Sequence, residues 1–170
     1  MDTALAIASK RDVREYAPHP LPGEVLDRIL DAGRVSGSAR NGQPWEFVVA
    51  VSPEARERLS AAAYSPRNLT GAAAVVAIAI RGGEMQAFDA GRAAQCMMLA
   101  AWEEGVASCP NGIARPDVAH RVLGLAADQR TAVMLSFGYP VNPRDPARRP
   151  AAEWRRRAPR RPLEEVVRRL

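Results

Sequence analysis

A cluster of cations near the start of the chain is the first feature suited to binding a charged ligand. Lys10, Arg11 and Arg14 lie close together in the sequence, after a segment with the composition of a short helix. Ammonium and guanidinium groups form charge-assisted hydrogen bonds with phosphate oxygens, so the cluster could bind a phosphate dianion. The alternative is a basic hinge whose side chains meet only solvent. Asp12 lies inside the cluster, and its carboxylate opposes an anionic ligand.

A second polar segment lies in the loop 36–44. Ser38, Asn41 and Gln43 offer hydroxyl and amide groups that can donate and accept hydrogen bonds, and Pro44 restricts the backbone where the loop ends. Polar loops held by a rigid scaffold commonly contact ligands. The alternative is a hydrogen-bonded turn without a ligand.

Two further positions are candidates on weaker grounds. Gly112, within the segment 109–113, would allow the backbone to approach a ligand closely. A turn glycine without a ligand is the alternative. Arg67 precedes an apolar run that begins at Ala74, and it could neutralise charge on a ligand. An exposed loop arginine is the alternative for that position.

The remaining reactive residues, histidines and cysteines, do not indicate a metal site or a catalytic triad. His19 and His120 have no carboxylate or cysteine partner at a meaningful spacing. Cys96 and Cys109 provide neither a disulfide framework nor zinc-ligand spacing, and Cys96 is predicted to be a small core residue. These features favour a reducing, cytoplasmic location.

The elements that must position these residues alternate between helices and short strands. Helical spacing of apolar residues predicts the helices, and β-branched apolar runs predict the strands. This order indicates an α+β domain in which helices flank a mixed sheet. The predicted helices span residues 4–9, 21–33, 54–63, 85–104 and 115–123, and the predicted strands span residues 46–51, 74–80 and 131–137.

The predicted helix 85–104 is apolar nearly all round. A helix without a polar face must be enclosed, and its own sheet can cover only part of its surface. A second subunit could cover the remainder, so this helix predicts a dimer.

Length and composition limit the classes of protein that the chain can form. The 170 residues, 18.4 kDa in mass, fit one domain, and 47% hydrophobic residues are enough to build a core. The most apolar stretch, 72–80, is about half of the ~20 residues that a membrane-spanning helix needs. The first residues lack a basic segment followed by an apolar one, so no secretory signal is expected.

Positive charge is concentrated at the end of the chain. Residues 141–170 contain ten arginines and four acidic residues, whereas the other 140 residues have a net charge of −1. The sequence pI near 10.0 therefore reflects this segment and not a basic globular face. Five prolines in the segment disfavour regular helix before Leu163. The pattern predicts an extended arm that ends in a short helix or strand.

Three segments together resemble the flavin-dependent nitroreductase family. Residues 10–16, Lys-Arg-Asp-Val-Arg-Glu-Tyr, are similar to its opening Arg-Arg-Ser-Val-Arg-x-Phe. Residues 38–47, Ser-Ala-Arg-Asn-Gly-Gln-Pro-Trp-Glu-Phe, are similar to its loop Ser-x-x-Asn-x-Gln-Pro-Trp-x-Phe. Residues 138–140 and 160–167 resemble its ending. The similarity runs from about Ala6 to Val167, which is nearly the whole chain.

The resemblance implies a fold, a division of the chain and an assembly. The fold would be a nitroreductase-like α+β domain with a mixed central sheet flanked by helices. Residues 1–140 would form the FMN-binding domain, and residues 141–170 would be a C-terminal arm of the same domain that clasps a dimer partner. A homodimer of this kind holds two flavins at its interface.

The resemblance also implies FMN as the cofactor and NADH or NADPH as the electron donor. The flavin carries the chemistry, so no catalytic side chain is expected. Hydride would pass through the flavin to a nitroaromatic, a quinone or a related acceptor. The residues implied to contact the cofactor are Lys10 and Arg11 at the phosphate, Arg14 at the polar edge of the ring, Asp12 in place of the usual serine, Ser38, Asn41 and Gln43 at the ring edge or ribityl chain, Arg67 at the pyrimidine edge, Asn111 and Gly112 at N5, and Arg160 and Arg161 at the phosphate.

Other functions remain open at the level of sequence. The chain could be a non-catalytic flavin-binding protein of the same fold. Alternatively, Trp154 and the arginines 155–157 could stack on bases and contact phosphates of a nucleic acid. The link 81–88 is short for the family, which predicts an open site that could accept a bulky substrate, a deazaflavin or a protein donor.

Overall fold

An antiparallel sheet of four strands organises the larger part of the chain. The computed structural model describes all 170 residues. In chain order the strands are β1 (Trp45–Ala50), β2 (Ala74–Arg81), β3 (Ala107–Asn111) and β4 (Gln129–Gly138), and they lie side by side as β1-β2-β4-β3. The helices are α1 (Thr3–Ser9), α2 (Gly23–Arg34), α3 (Pro53–Ser60), α4 (Pro66–Thr70), α5 (Glu84–Glu103), α6 (Pro116–Leu123), α7 (Ala151–Arg156) and α8 (Leu163–Val166).

Strand β2 is central because it is apolar on both faces. Its residues from Ala74 to Ile80 are buried, as the continuous apolar run predicts. Val76 and Ile78 belong to the core that α2 and α5 cover, whereas Val75 and Ala77 belong to the core on the opposite face. Helices α3, α4 and α6 cover that second core. The sheet is therefore enclosed by helices on both faces.

Helix α5 buries one side against the sheet and exposes another. Ala93 and Met97 lie in the core, where Met97 packs against Gly33 of α2. Phe88, in contrast, is 69% exposed. Cys96 is partly exposed beside it, so the prediction that Cys96 is a core residue is wrong. Apolar side chains on the exposed side have no covering element in this chain.

Strand β3 and helix α4 are additions to the predicted elements. Strand β3 contains Pro110, which cannot donate to a sheet, and α4 has only five residues, so neither has a clear sequence pattern. All pairs among the four strands are antiparallel. The parallel component expected of a mixed sheet is limited to the bridge between Asp12 and Ser108.

Residues 1–10 and 145–170 form a separate, smaller unit. In it, Trp154 of α7 is buried, and its indole N–H donates to Pro146 O at 2.9 Å. The guanidinium of Arg149 lies 5.2 Å from the centre of the Trp154 ring. The prolines do not prevent α7, which contradicts the prediction of no helix before Leu163. The helix forms because Pro150 lies at its N-cap, where an N–H is not needed.

The larger unit comprises residues 11–144. The assignment of residues 141–170 as an arm of one domain stays a prediction. No helix in the structure combines the length and the apolar character that crossing a membrane requires.

Candidate functional site

The basic opening segment is attached to strand β3. Asp12 forms a parallel bridge with Ser108, and the Val13 N–H donates to Ser108 O at 3.1 Å. Arg14 is exposed and lines a cavity of about 340 Å³ together with Asp12 and Arg144. Glu15 lines it as well, so two arginines and two carboxylates share this cavity.

A partly buried tyrosine holds that segment in place. The Tyr16 hydroxyl donates to Val13 O at 2.8 Å, and its oxygen lies 2.8 Å from Ser136 Oγ. Because the single hydroxyl proton of Tyr16 points to Val13, the Ser136 hydroxyl is the donor to Tyr16. The Tyr16 ring occupies space that a side chain at Gly138 would need. Burial raises the pKa of Tyr16 well above its ordinary value, and the hydrogen bond from Ser136 offsets only part of that rise.

The Asn111 side chain points into the core. Its Nδ2 donates to Cys109 O at 2.9 Å and to Ser136 Oγ at 3.1 Å. Its Oδ1 accepts a hydrogen bond of 2.9 Å from Asn68 Nδ2. Because the amide is fully engaged inside the protein, the prediction that Asn111 is a cofactor ligand has to be corrected for its side chain. The sequence reasoning did not identify Asn68, since an asparagine in a short helix carries no distinctive signal.

Gly112 follows directly and has the accessibility that Asn111 lacks. It is exposed, and its carbonyl accepts the Tyr64 N–H at 3.2 Å. The N–H of Gly112 has no acceptor within the chain. A Cβ at this position would lie 2.9 Å from the Tyr64 ring, which is itself 76% exposed. Arg67 is also exposed, one residue before Asn68. The segments that carry this backbone donor and this cation are joined by the hydrogen bond between Asn68 and Asn111.

The loop before β1 has a strained backbone. Arg40, Asn41 and Gln43 have φ angles of 53°, 54° and 44°, a left-handed conformation that is unfavourable for residues other than glycine. Ser38 Oγ accepts the Gln43 N–H at 2.9 Å, and Gln43 Nε2 donates to Asn41 O at 3.2 Å. Strain of this kind is concentrated at functional sites. The binding role of the loop stays a prediction, and Ser38 and Gln43 also form internal bonds.

A buried carboxylate anchors the loop. Asp89 of α5 is 3% exposed, and its Oδ2 accepts the Ala39 N–H at 3.0 Å. Arg92 lies 3.5 Å from Asp89 Oδ1. The loop and Asp89 border a cavity of about 290 Å³. The sequence reasoning missed Asp89, although an acidic residue inside an otherwise apolar helix is a signal that could have identified it.

The candidate residues of the larger unit fall into two groups at opposite edges of the sheet. Asn41 and Gln43 precede the edge strand β1, whereas Gly112 follows the other edge strand, β3. Three strand spacings separate these edges, which is about 14 Å. Arg67 lies with the Gly112 group, since Asn68 is hydrogen-bonded to Asn111. One chain therefore does not bring the loop and Gly112 together.

The remaining candidates belong to the smaller unit. The backbone N–H of Lys10 caps α1 by donating to Ala6 O at 3.1 Å. Arg160 and Arg161 are exposed. Arg161 also forms an ion pair with Glu165 at 3.3 Å, which would have to loosen for Arg161 to bind a phosphate.

Comparison with known proteins gives a consistent family match. The model of the nitroreductase family matches residues 7–78 and 65–139. A protein of Methanothermobacter thermautotrophicus, named as a candidate NADH dehydrogenase/NAD(P)H nitroreductase, is 37% identical over 59 residues, which are 35% of this chain and 31% of that relative. A protein of Archaeoglobus fulgidus with the same name is 26% identical over 149 residues, 82% of this chain and 86% of the relative.

Solved structures share the fold over almost the whole chain. A nitroreductase family protein of Clostridium difficile 630 has a TM-score of 0.83 at 24% identity, covering 98% of this chain and 97% of that one. A protein of Clostridium difficile R20291, described as an FMN-dependent nitroreductase, has a TM-score of 0.77 at 23% identity. That comparison covers 82% of this chain and 88% of the other.

Proposed function

The chain belongs to the nitroreductase family, and from that membership we propose that it is an FMN-dependent oxidoreductase. The electron donor would be NADH or NADPH, and the acceptor a nitroaromatic, a quinone or a related compound. Bound FMN would supply the hydride transfer. The protein's own residues would bind and orient the cofactor and adjust its electronic properties.

The exposed N–H of Gly112 is the observation that carries this proposal. It is a backbone donor without an acceptor in the chain, and it belongs to an exposed residue. Arg67 would place a positive charge nearby. A donor and a cation at one point of the surface suit a ring system that gains negative charge on reduction. The donor set therefore fits a flavin.

The phosphate of FMN would bind to arginine and lysine side chains. Arg11 and Arg14 belong to the segment fixed on β3, and Lys10 precedes them. Each charge-assisted hydrogen bond would contribute roughly 1.5–3 kcal/mol. Arg160 and Arg161 are proposed as further phosphate ligands. The carboxylate of Asp12 would repel the phosphate. The phosphate would therefore bind to the cations on either side of Asp12 in the sequence.

A second copy of the chain would complete the site. Because the loop 38–43 and Gly112 lie at opposite edges of one sheet, a homodimer could bring the loop of one subunit to the Gly112 group of the other. The exposed side of α5, with Phe88 and Cys96, is the apolar surface available for this contact. We therefore propose a homodimer with the cofactor at the interface.

The cofactor content and redox activity of the purified protein test this proposal. The protein should be yellow, release about one FMN per chain on heating, and lose the visible absorbance of oxidised flavin when NADH or NADPH is added without oxygen. A non-catalytic flavin-binding protein would contain FMN that neither nucleotide reduces. Protein that is colourless and does not bind added FMN would contradict the proposed function altogether.

A further inference from the structure

Helix α4 is attached to the end of β3 by one buried side-chain hydrogen bond. Asn68, 9% exposed, donates from Nδ2 to Oδ1 of Asn111 at 2.9 Å. Asn111 is 4% exposed. An amide pair removed from water would cost free energy if either partner were missing, so the two side chains depend on each other.

The environment of Asn111 determines the direction of that bond. Its Nδ2 is surrounded by three acceptors, Cys109 O, Ser136 Oγ and, at 3.4 Å, Met134 O. The opposite orientation would place the amide oxygen against two carbonyl oxygens, which is repulsive. Oδ1 therefore faces α4, and residue 68 must be a hydrogen-bond donor. Asparagine satisfies this requirement.

The two asparagines are each adjacent to a proposed cofactor contact. Arg67 precedes Asn68 in α4, and Gly112 follows Asn111 after β3. The hydrogen bond between the asparagines therefore fixes the backbone at Arg67 relative to the backbone donor at Gly112. The Tyr64 N–H, which donates to Gly112 O, is a second link between the same two segments.

We propose that Asn68 is a positioning residue, which holds Arg67 and the Gly112 N–H in the relative arrangement that favours reduced over oxidised flavin. This role rests on the proposed function. An apolar residue could fill the same space, but it would leave Asn111 Oδ1 unpaired and would not direct α4. The bonded network continues through Ser136 to Tyr16, so Asn111 is held from the other side as well.

Two substitutions of Asn68 test the role. Asn68→Leu removes the donor at any pH, whereas Asn68→Asp retains a donor only while its carboxyl is protonated. Ser60→Ala is the control, because Ser60 is also buried but its hydroxyl bonds only to Glu57 O within α3. Redox titration of bound FMN and FMN binding would be measured at pH 5 and pH 8, with the wild type at both pH values to account for every other titrating group.

Asn68→Leu should reduce the preference for reduced over oxidised FMN by about tenfold, which lowers the two-electron potential by about 30 mV. The potential of FMN bound to Asn68→Asp should equal that of the wild type at pH 5 and that of Asn68→Leu at pH 8. Ser60→Ala should retain the wild-type potential at both. A wild-type potential in both Asn68 variants at pH 8 would overturn the proposal.

Amide hydrogen exchange separates this inference from the proposed function and needs no cofactor. The Tyr64 N–H should exchange at least about tenfold faster in Asn68→Leu than in the wild type, because its acceptor Gly112 is less firmly held. Ser60→Ala should not change that rate. If the wild type binds no FMN, the proposed function fails, and an unchanged Tyr64 exchange rate in Asn68→Leu then overturns the positioning role on its own.

Discussion

Tyr16 and Ser136 are 120 residues apart in the sequence, yet the hydroxyl oxygens of their side chains lie 2.8 Å apart. The Tyr16 hydroxyl donates to Val13 O. Ser136 Oγ in turn accepts a hydrogen bond from Asn111 Nδ2. The pair therefore connects the basic opening segment with the end of β3, where Gly112 lies. Two of the segments proposed to bind the cofactor are joined by this bond through the core.

Stability at alkaline pH should depend on Tyr16. Burial raises the pKa of Tyr16 in the folded state above the ordinary value. Its contribution to the free energy of unfolding is therefore complete below the pKa of the unfolded state, about 10, and is lost as the pH rises above that value. The free energy of unfolding should fall by about 1.4 kcal/mol per pH unit above pH 10 from this group alone. Urea titrations of Tyr16→Phe should lack this component. Tyr64→Phe, which removes an exposed phenol, should retain the wild-type slope.

The strain of the loop before β1 should be measurable at Arg40. Arg40→Gly and Arg40→Ala both remove the same charge, but only glycine relieves the left-handed conformation. The Gly variant should be more stable than the Ala variant by about 1 kcal/mol in urea unfolding. Equal stabilities would show that the loop is not left-handed at this residue in solution.

Loss of the Arg67 cation should weaken flavin binding. Arg67→Gln removes a charged donor worth roughly 1.5–3 kcal/mol, so the Kd for FMN should rise at least about tenfold in a fluorescence titration. Arg58→Gln is the matched control, since Arg58 is also an exposed helical arginine. If the two variants bind FMN equally well, Arg67 is not a ligand.

The C-terminal arginines can be tested for two different functions. Replacing Arg160 and Arg161 by Ala should raise the Kd for FMN at least about tenfold, because one of them is proposed to bind the phosphate. Replacing Arg168 and Arg169 by Ala changes the charge equally and should leave that Kd unaltered. A nucleic-acid function predicts the reverse: FMN affinity unaffected in both variants, and salt-sensitive DNA binding that both weaken.

The exposed side of α5 should carry the dimer. Phe88→Glu places a charge on the apolar surface that a second subunit is proposed to cover, and burying an unpaired charge is unfavourable. Light scattering should give twice the 18.4 kDa chain mass for the wild type and a lower mass for the variant at micromolar concentration. Bound FMN should fall with the dimer, because each site needs both subunits. A dimeric, FMN-loaded Phe88→Glu variant would place the interface elsewhere.

Much of the fold could be predicted because it depends on local sequence pattern. The apolar run 74–80 forms β2, and the apolar segment 85–104 forms α5, with bounds within one residue of those predicted. The family assignment from the three motifs is confirmed as well. Such segments consist of long runs of apolar residues bounded by glycine, and this local pattern is visible without knowledge of their neighbours.

The sequence by itself determined the α+β class, the family, the central strand and the position of the cation cluster. Only the tertiary structure decided that Asn111 faces the core while Gly112 faces solvent, and that Asn68 and Asp89 hold the segments on which the proposed ligands lie. Strand β3 shows why. Its residues pair with residues of β4 that are more than twenty positions away in the sequence. Hydrogen bonds between such distant partners leave no pattern in either segment alone.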